Sequence, residues 1–403
     1  MDSKYNVCSK MWTDLNINFQ KQTFQHCCKQ TAQPISFEEI DTLKERVFDF
    51  HEQNILNRKI SLDDNQLPPN CQWCIDTAPD NIKKVWNIWD DQYITNVKPQ
   101  LKTISRTSYI DLDIGNSCDL ACIYCGPWSS TMWAKELGQP VKNTIDQNWK
   151  QQILENLKNY IGGFDKDRKL IFNLLGGEPL LITDTYDIIS YLSQICGHFE
   201  NKPVLMITTN LNCKPALLKK LLLTINATKD IFEWNLSVSI EDIHERAEAV
   251  RYHLDFHTFE NNLRAVKSQV DHLYITTTFS LFSFSNFDEF LLWCFDILGK
   301  DDYTKTWNFS LNNVQNGFTD LSYCPTKLVD IKKIKQVFND IINTVDGVNK
   351  FKVKQVHQHL DNMYQRTGTC VPDSQFFSYW KAMSQRRKID YFSFYPLSEI
   401  TEK

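Results

Sequence analysis

The stretch YIDLDIGNSCDLACIYC, residues 109–125, decides how this chain is read. Its first six residues read as a strand, and three cysteines, Cys118, Cys122 and Cys125, follow it directly. A loop between a strand and its helix can wrap around a metal centre, so three thiolates in such a loop can converge on one. A 4Fe-4S cube has four irons, and three protein thiolates leave one of them open. An open coordination position separates a reactive metal site from a closed structural one. Zinc in this loop would want a fourth Cys or His close by, and none of the nine His lies near it.

Outward from this stretch, β-branched runs alternate with helical segments. The candidate strands are 109–114, 169–175, 204–209, 234–240, 273–281 and 306–314. Amphipathic segments lie between and after them, at 186–195, 215–223, 243–267, 287–298 and 328–343. Alternation repeated this often predicts parallel βαβ units and an α/β fold, as either a partial barrel or an open doubly wound sheet. Residues 12–28 predict a β-hairpin turning at Gln20-Lys21-Gln22. Ser36 to Gln53 predicts a helix with Ser36 and Glu39 as a capping box. The last sixty residues read as helical and then aromatic-rich, predicting that they pack on the body.

The 403 residues, 42% hydrophobic and 23% charged, are those of an ordinary globular chain with a large core. The net charge is -5, from 49 Asp and Glu against 44 Lys and Arg, and the basic residues are scattered rather than massed, so nothing here favours nucleic acid as a partner. No apolar run approaches the roughly 20 residues of a membrane span, and the first residues lack the layout of a secretory signal. The chain therefore reads as cytoplasmic. A reducing compartment makes disulfides among its 13 cysteines unlikely uses of sulfur, leaving metal ligation or chemistry. No Walker A loop, dinucleotide Gly-x-Gly-x-x-Gly loop, His-Glu-x-x-His or Gly-x-Ser-x-Gly elbow occurs, so the common NTPase, dehydrogenase, zinc protease and lipase readings lose their support.

The Cys-x3-Cys-x2-Cys spacing, with Tyr124 before the last Cys, resembles the cluster loop of the radical S-adenosylmethionine (radical SAM) superfamily. A second motif, Gly176-Gly177-Glu178-Pro179, closes the second predicted strand as that family's GGEP segment does. The resemblance implies a partial (βα)6 barrel resembling part of a TIM barrel. Its open iron would bind S-adenosylmethionine, and electron transfer would cleave the sulfonium to a 5'-deoxyadenosyl radical that abstracts hydrogen from a substrate. The cofactor carries the hard chemistry while the protein aims it. Carried over residue by residue, Cys118, Cys122 and Cys125 would ligate the 4Fe-4S cluster. Gly176, Gly177, Glu178 and Pro179 would face the methionine amino group, and Tyr124 would lie against the adenine. Thr209, Asn210, Ser239 and Glu241 would stand near the ribose. Arg251, followed by Asn261 and Asn262, would bind the cofactor carboxylate, since guanidinium forks suit carboxylates; the alternative is a solvated arginine on a long helix.

A second set, Cys8, Cys27 or Cys28, Cys71 and Cys74, supplies four ligands for a closed auxiliary 4Fe-4S cluster. Cys8-Ser-Lys-Met-Trp12, the Cys27-Cys28 pair and Leu67-Pro-Pro-Asn-Cys71-Gln-Trp-Cys74 resemble the twitch or SPASM auxiliary modules of that family, whose pattern favours Cys28. The C-terminal run with Arg386-Arg387 and Tyr395-Pro396 fits the same resemblance. Such modules usually follow the barrel, whereas here the cysteines precede it. Zinc in this set, or no metal, remains an alternative. The domains expected are an auxiliary module over 1–100, a barrel over 101–320 and a helical extension over 321–403. Among isolated cysteines, Cys324 is placed to reach a substrate, while His357 and His359 read as a solvent-facing pair. The resemblance implies a peptide or protein side chain as substrate and an external electron donor such as flavodoxin or ferredoxin. The alternatives are a small molecule or nucleotide as target, or a zinc-binding interaction protein without turnover.

Overall fold

The computed structural model describes residues 8–27, 33–34, 36, 38, 52–64, 66, 68, 71, 107–141, 144–314 and 317–394. In chain order the described strands are β1 (Asp14–Asn18), β2 (Thr23–Gln25), β3 (Gln33–Pro34), β4 (Tyr109–Asp113), β5 (Ala121–Cys122), β6 (Ile171–Leu175), β7 (Val204–Thr209), β8 (Glu233–Ser239), β9 (Arg251–Tyr252), β10 (His272–Phe279) and β11 (Trp307–Asn313). β4, β6, β7, β8, β10 and β11 are the six expected strands, each within two residues of its predicted bounds, and helices separate them along the chain. The fold is α/β, as the partial (βα)6 barrel reading requires. The chain forms two compact units, Met1–Gly115 with Asn143–Met206 and Thr228–Glu233, and Asn116–Lys142 with Ile207–Ala227 and Trp234–Lys403.

In the first unit the strand order is β3-β2-β1-β4-β6. The expected hairpin is β1 and β2, antiparallel with Ile17 opposite Phe24. Gln22 takes the left-handed conformation (φ 56°) that closes the turn. β1 continues the sheet beside β4 in parallel, pairing Asp14 with Tyr109 through to Asn18 with Asp113, and β4 pairs in parallel with β6. Period-two alternation sends Leu15, Ile17, Ile110, Leu112, Phe172 and Leu174 into the core at 0–1% exposure. The other face carries Asn16, Asp111, Asp113 and Asn173. A helix the sequence reading did not assign, Gln147–Gly162, starts where Asp146 accepts the Trp149 N–H at 3.0 Å, and Phe19 meets Trp149 edge-on at 5.9 Å. The helix expected over 36–53 falls largely outside the described residues; a described helix runs over Glu52–Leu62.

In the second unit β8, β10 and β11 run parallel. Leu236, Val238, Leu273, Ile275, Trp307 and Phe309 are buried on one face, while Ser237, Ser239, Tyr274, Thr276, Thr278 and Ser310 make the other polar. The C-terminal helix Ser374–Arg387 packs within this unit: Trp380 meets Phe282 at 4.5 Å, and the Tyr391 hydroxyl donates to the Ala249 carbonyl at 3.0 Å.

The helix predicted over 243–267 is corrected to two, His244–Val250 and Phe256–Val266, with β9 between them. The break has two local causes. His253 sits at φ 78°, outside the helical region, and Asp255 caps the second helix by accepting the Thr258 N–H at 2.9 Å. His357 is also corrected: it is half-buried and bonded to Asn339 Oδ1 at 2.8 Å across neighbouring helices, not turned to solvent.

Candidate active site

The cysteine loop is built and clamped within the second unit. β5 pairs antiparallel with β9, setting Cys122 opposite Arg251, and the Ile123 N–H adds a bond to the Val250 carbonyl at 2.9 Å. From the other side the short helix Thr131–Glu136 holds three carbonyls of the loop. Ser130 Oγ donates to Leu120 O at 2.6 Å, Thr131 Oγ1 to Cys118 O at 3.0 Å, and Trp133 Nε1 to Cys122 O at 2.8 Å. Gly126 ends the loop in a place where a Cβ would collide with the Trp128 ring, so only glycine fits without a shift.

N–H groups point at the sulfurs. The Leu120 N–H lies 3.5 Å from Cys118 Sγ, Asn210 Nδ2 is 3.9 Å from the same atom, and Arg251 Nη1 is 3.9 Å from Cys122 Sγ. Burial pushes the Cys122 thiol up to about 12, against the pull of Arg251, and burial also raises Cys125. Buried thiols of this kind become thiolates when a metal supplies the positive charge. Among the described residues no three His, Cys, Asp or Glu side chains are set around a single ion. A cubane makes no such demand, because each thiolate binds a different iron. Three sulfurs with N–H donors aimed at two of them fit a 4Fe-4S cluster and suit a hard divalent ion poorly.

Beside the loop lies a buried charge network. Arg251 Nε and Nη2 donate to Glu241 Oε2 at 3.1 and 2.6 Å, and the Tyr124 hydroxyl donates to Glu241 Oε1 at 3.0 Å. The Arg251 guanidinium stands 5.7 Å from the Tyr124 ring centroid. Glu241 is fully buried and Arg251 4% exposed, which excludes the solvated-arginine alternative. Burial pushes the Glu241 carboxyl up, while Arg251 and Tyr124 hold it down. The arginine edge expected to fork a cofactor carboxylate is thus occupied by Glu241, and Nη1 turns to Cys122.

Of the other expected residues, Asn210 comes to this loop, donating to Asp119 Oδ1 at 2.9 Å, and Asn212 Nδ2 reaches Asp119 Oδ2 at 3.1 Å. Thr209 accepts the Leu211 N–H at 2.9 Å, and Ser239 ends β8 half-buried. Asn262 is committed elsewhere, donating to the Leu211 and Cys213 carbonyls, and Asn261 bonds His257. The GGEP segment lies in the first unit. Gly176 sits at φ +138°, where a Cβ would run into Gly115 O; the Gly177 N–H bonds that same oxygen at 2.5 Å; and buried Glu178 caps the turn by accepting the Leu180 N–H at 3.0 Å. Cys324 is corrected: it is fully buried, with its thiol pushed up to about 12, and no substrate can reach it. Cys8, Cys27 and Cys71 are half-buried in the first unit, while Cys28 and Cys74 lie outside the described residues. Sequence reading missed Asp119, Ser130, Thr131 and Trp133. A Ser-x-x-Trp helix start shortly after the triad was the available signal for the last three.

Residues 112–291 match the Radical SAM superfamily. This stretch, a little under half of the chain, is similar to the domain of that superfamily. That superfamily is one of enzymes, and the match leaves the subclass open. No curated protein sequence matches the chain. Among solved structures, Streptococcus suis SuiB bound to precursor peptide SuiA is 14% identical over 87% of this chain and 75% of that one, with a TM-score of 0.41. Native anSMEcpe with bound AdoMet and Cp18Cys peptide is 14% identical over 58% of this chain, with a TM-score of 0.40, and the match spans 59% of its length. The matched stretch contains the cysteine loop, the GGEP segment and the Glu241–Arg251 pair. No helix among the described residues is long and apolar enough to cross a membrane.

Proposed function

We propose that the chain is a radical SAM enzyme that modifies a peptide or protein side chain, holding a 4Fe-4S cluster on Cys118, Cys122 and Cys125. The observation that carries this reading is the clamped loop with N–H groups directed at Cys118 and Cys122. When bound, the reduced cluster would supply one electron and S-adenosylmethionine the sulfonium whose C–S bond that electron breaks, giving methionine and the carbon radical that takes hydrogen from the substrate. The chain's own residues hold and orient. Ser130, Thr131 and Trp133 fix the loop backbone, and the donors on sulfur draw negative charge from the thiolates, which tunes a cluster's potential. Glu241 holds Arg251 against Cys122 and fixes the Tyr124 ring for the adenine. Gly176, Gly177, Glu178 and Pro179 receive the methionine amino group; Thr209, Asn210 and Ser239 serve the ribose.

The polar strand face of the second unit supports an amide-rich substrate: Ser237 Oγ and Thr276 Oγ1 bond each other at 2.6 Å, and the lone pairs a hydroxyl keeps beyond one bond, with those of Ser310, suit amide N–H groups better than an apolar surface. The carboxylates of β4 and the net charge of -5 disfavour a nucleotide. An auxiliary 4Fe-4S cluster on Cys8, Cys28, Cys71 and Cys74 completes the reading, with residues 1–100, 101–320 and 321–403 as auxiliary, radical and extension regions. Flavodoxin or ferredoxin supplies the electron, and the cytosol is the compartment that suits so many thiols. The test is anaerobic reconstitution followed by assay of 5'-deoxyadenosine. The wild type should form it, and the triple Cys118→Ala, Cys122→Ala, Cys125→Ala variant should form none while keeping about four irons per chain by cubane stoichiometry. Undiminished formation in the variant removes the assignment, and an iron-free variant removes the auxiliary cluster.

A further inference from the structure

On the polar strand face of the first unit Asp14 of β1 is paired with Lys10, whereas the two aspartates of β4 meet no cation among the described residues. Asp111 stands between Asn16 on β1 and Asn173 on β6 in the strand register, and Asp113 sits two residues further along. Asn173 Nδ2 donates to Asp111 Oδ1 at 2.7 Å; Asn18 Nδ2 donates to Asp113 Oδ2 at 2.6 Å; and the Gly115 N–H lies 3.2 Å from Asp113 Oδ1. The partners are amides, and among the described residues no Lys, Arg or His is within ion-pair distance of either carboxylate. Lys10 pairs with Asp14 at 2.8 Å instead, and Lys21 acts on Asp113 only through its field. Burial raises both carboxyls, which marks a charge held without a counterion.

A purely structural role would not need this charge. The matching face of β8, β10 and β11 is kept polar by Ser237, Thr276 and Ser310, all neutral. Desolvating a carboxylate with no cation costs several kcal/mol by the usual order of magnitude, so a neutral residue would be the cheaper choice for the same surface. The second observation is Asn173. It is 7% exposed, its amide is turned onto Asp111, and its Oδ1 is buried with no hydrogen-bond partner. An orphan acceptor beside two carboxylates is a place for N–H donors.

We infer that Asp111, Asp113 and Asn173 bind a cationic side chain of the substrate, a primary amine or a guanidinium. The inference rests on the peptide reading above and adds the class of residue recognised. Neighbouring strands stand about 4.8 Å apart and successive same-face residues about 6.6 Å, a span that one ammonium or a guanidinium fork can bridge. An anion is excluded by the two carboxylates. A metal is disfavoured because no three ligating side chains among the described residues meet there.

The probes are the N-acetyl methylamides of L-lysine, L-arginine and L-norleucine, titrated calorimetrically into the full reconstituted chain. The basic probes should bind at least tenfold more tightly than norleucine. Asp111→Asn should reduce that preference about tenfold, and Asp111→Asn with Asp113→Asn should abolish it. Equal affinity for the three probes, no binding of the basic ones, or a preference that survives the double substitution overturns the inference. The wild-type comparison needs no variant to fold, and the order of lysine and arginine tells amine from guanidinium. Formation of 5'-deoxyadenosine by the wild type, measured in parallel, separates the two readings. Cleavage without cation preference refutes the subsite alone, whereas cation preference without cleavage refutes the radical reading alone.

Discussion

Trp133 joins the cysteine loop to the C-terminal helix through single atoms. Its indole N–H donates to Cys122 O, and its ring lies 4.5 Å from the Arg387 guanidinium, which also stands 4.6 Å from the Tyr252 ring and bonds both Glu136 oxygens. Trp133→Phe keeps one aromatic ring and removes the five-membered ring with its donor, leaving a buried carbonyl unmet at a cost of about 1–3 kcal/mol besides the lost packing. The expected result is a loop that loses iron several-fold faster in anaerobic gel filtration, with overall folding by circular dichroism retained. Unchanged iron retention shows that the indole bond does not hold the loop. The three cysteines were legible in sequence because their chemistry is local: spacing alone states how many sulfurs one loop can offer. Trp133 was not, because an aromatic at a helix start reads as core, and only the tertiary partner reveals its N–H as a clamp. Glu241 and Arg251 were both named, yet their pairing with each other could not be read from positions ten residues apart.

At the scale of elements, the strands were the legible part, since period-two alternation survives whatever packs above it. The helix over 243–267 was not, because an apolar period of 3.6 continues through Arg251 although the backbone does not. The break matters, for it lets Arg251 and Tyr252 pair with Ala121 and Cys122 as a two-stranded ribbon. Asp255 restarts the helix with its backbone cap and a second bond from Thr258 Oγ1 at 2.9 Å, and the first of these pulls its carboxyl down. Asp255→Ala should therefore destabilise the chain by about 1 kcal/mol in urea denaturation, the usual value of an N-cap. Asp255→Asn should recover most of that loss, as asparagine caps equally well. Equal loss in both variants would assign the effect to charge and not to capping.

Across the whole molecule, stability responds to pH through carboxyls that folding makes weaker acids. Asp242 is fully buried, and burial raises it from 3.8 to about 7 although Arg246 Nε donates to it at 2.9 Å. Between those two values the folded state keeps a proton that the unfolded chain releases, so this group's contribution is fully present below about 4 and declines as pH rises to about 7. His253, His272 and His357 oppose it, because burial lowers each of them and the unfolded chain takes up their protons first as pH falls. The total slope mixes both signs, so the wild-type curve alone decides nothing. Comparison with Asp242→Asn isolates the carboxyl, since the histidines and every other titrating group cancel in the difference. The asparagine variant should gain on the wild type as pH is raised from 4 to 7, by up to about 1.4 kcal/mol per unit, and the gap should level off above 7. The attraction of Arg246 for the ionised carboxyl is already contained in the value of about 7, so it sets where the difference levels off. Urea denaturation of the metal-free, reduced chain at pH 5, 6, 7 and 8 measures it. A pH-independent difference would mean that Asp242 stays ionised in the fold, with Arg246 outweighing the loss of water.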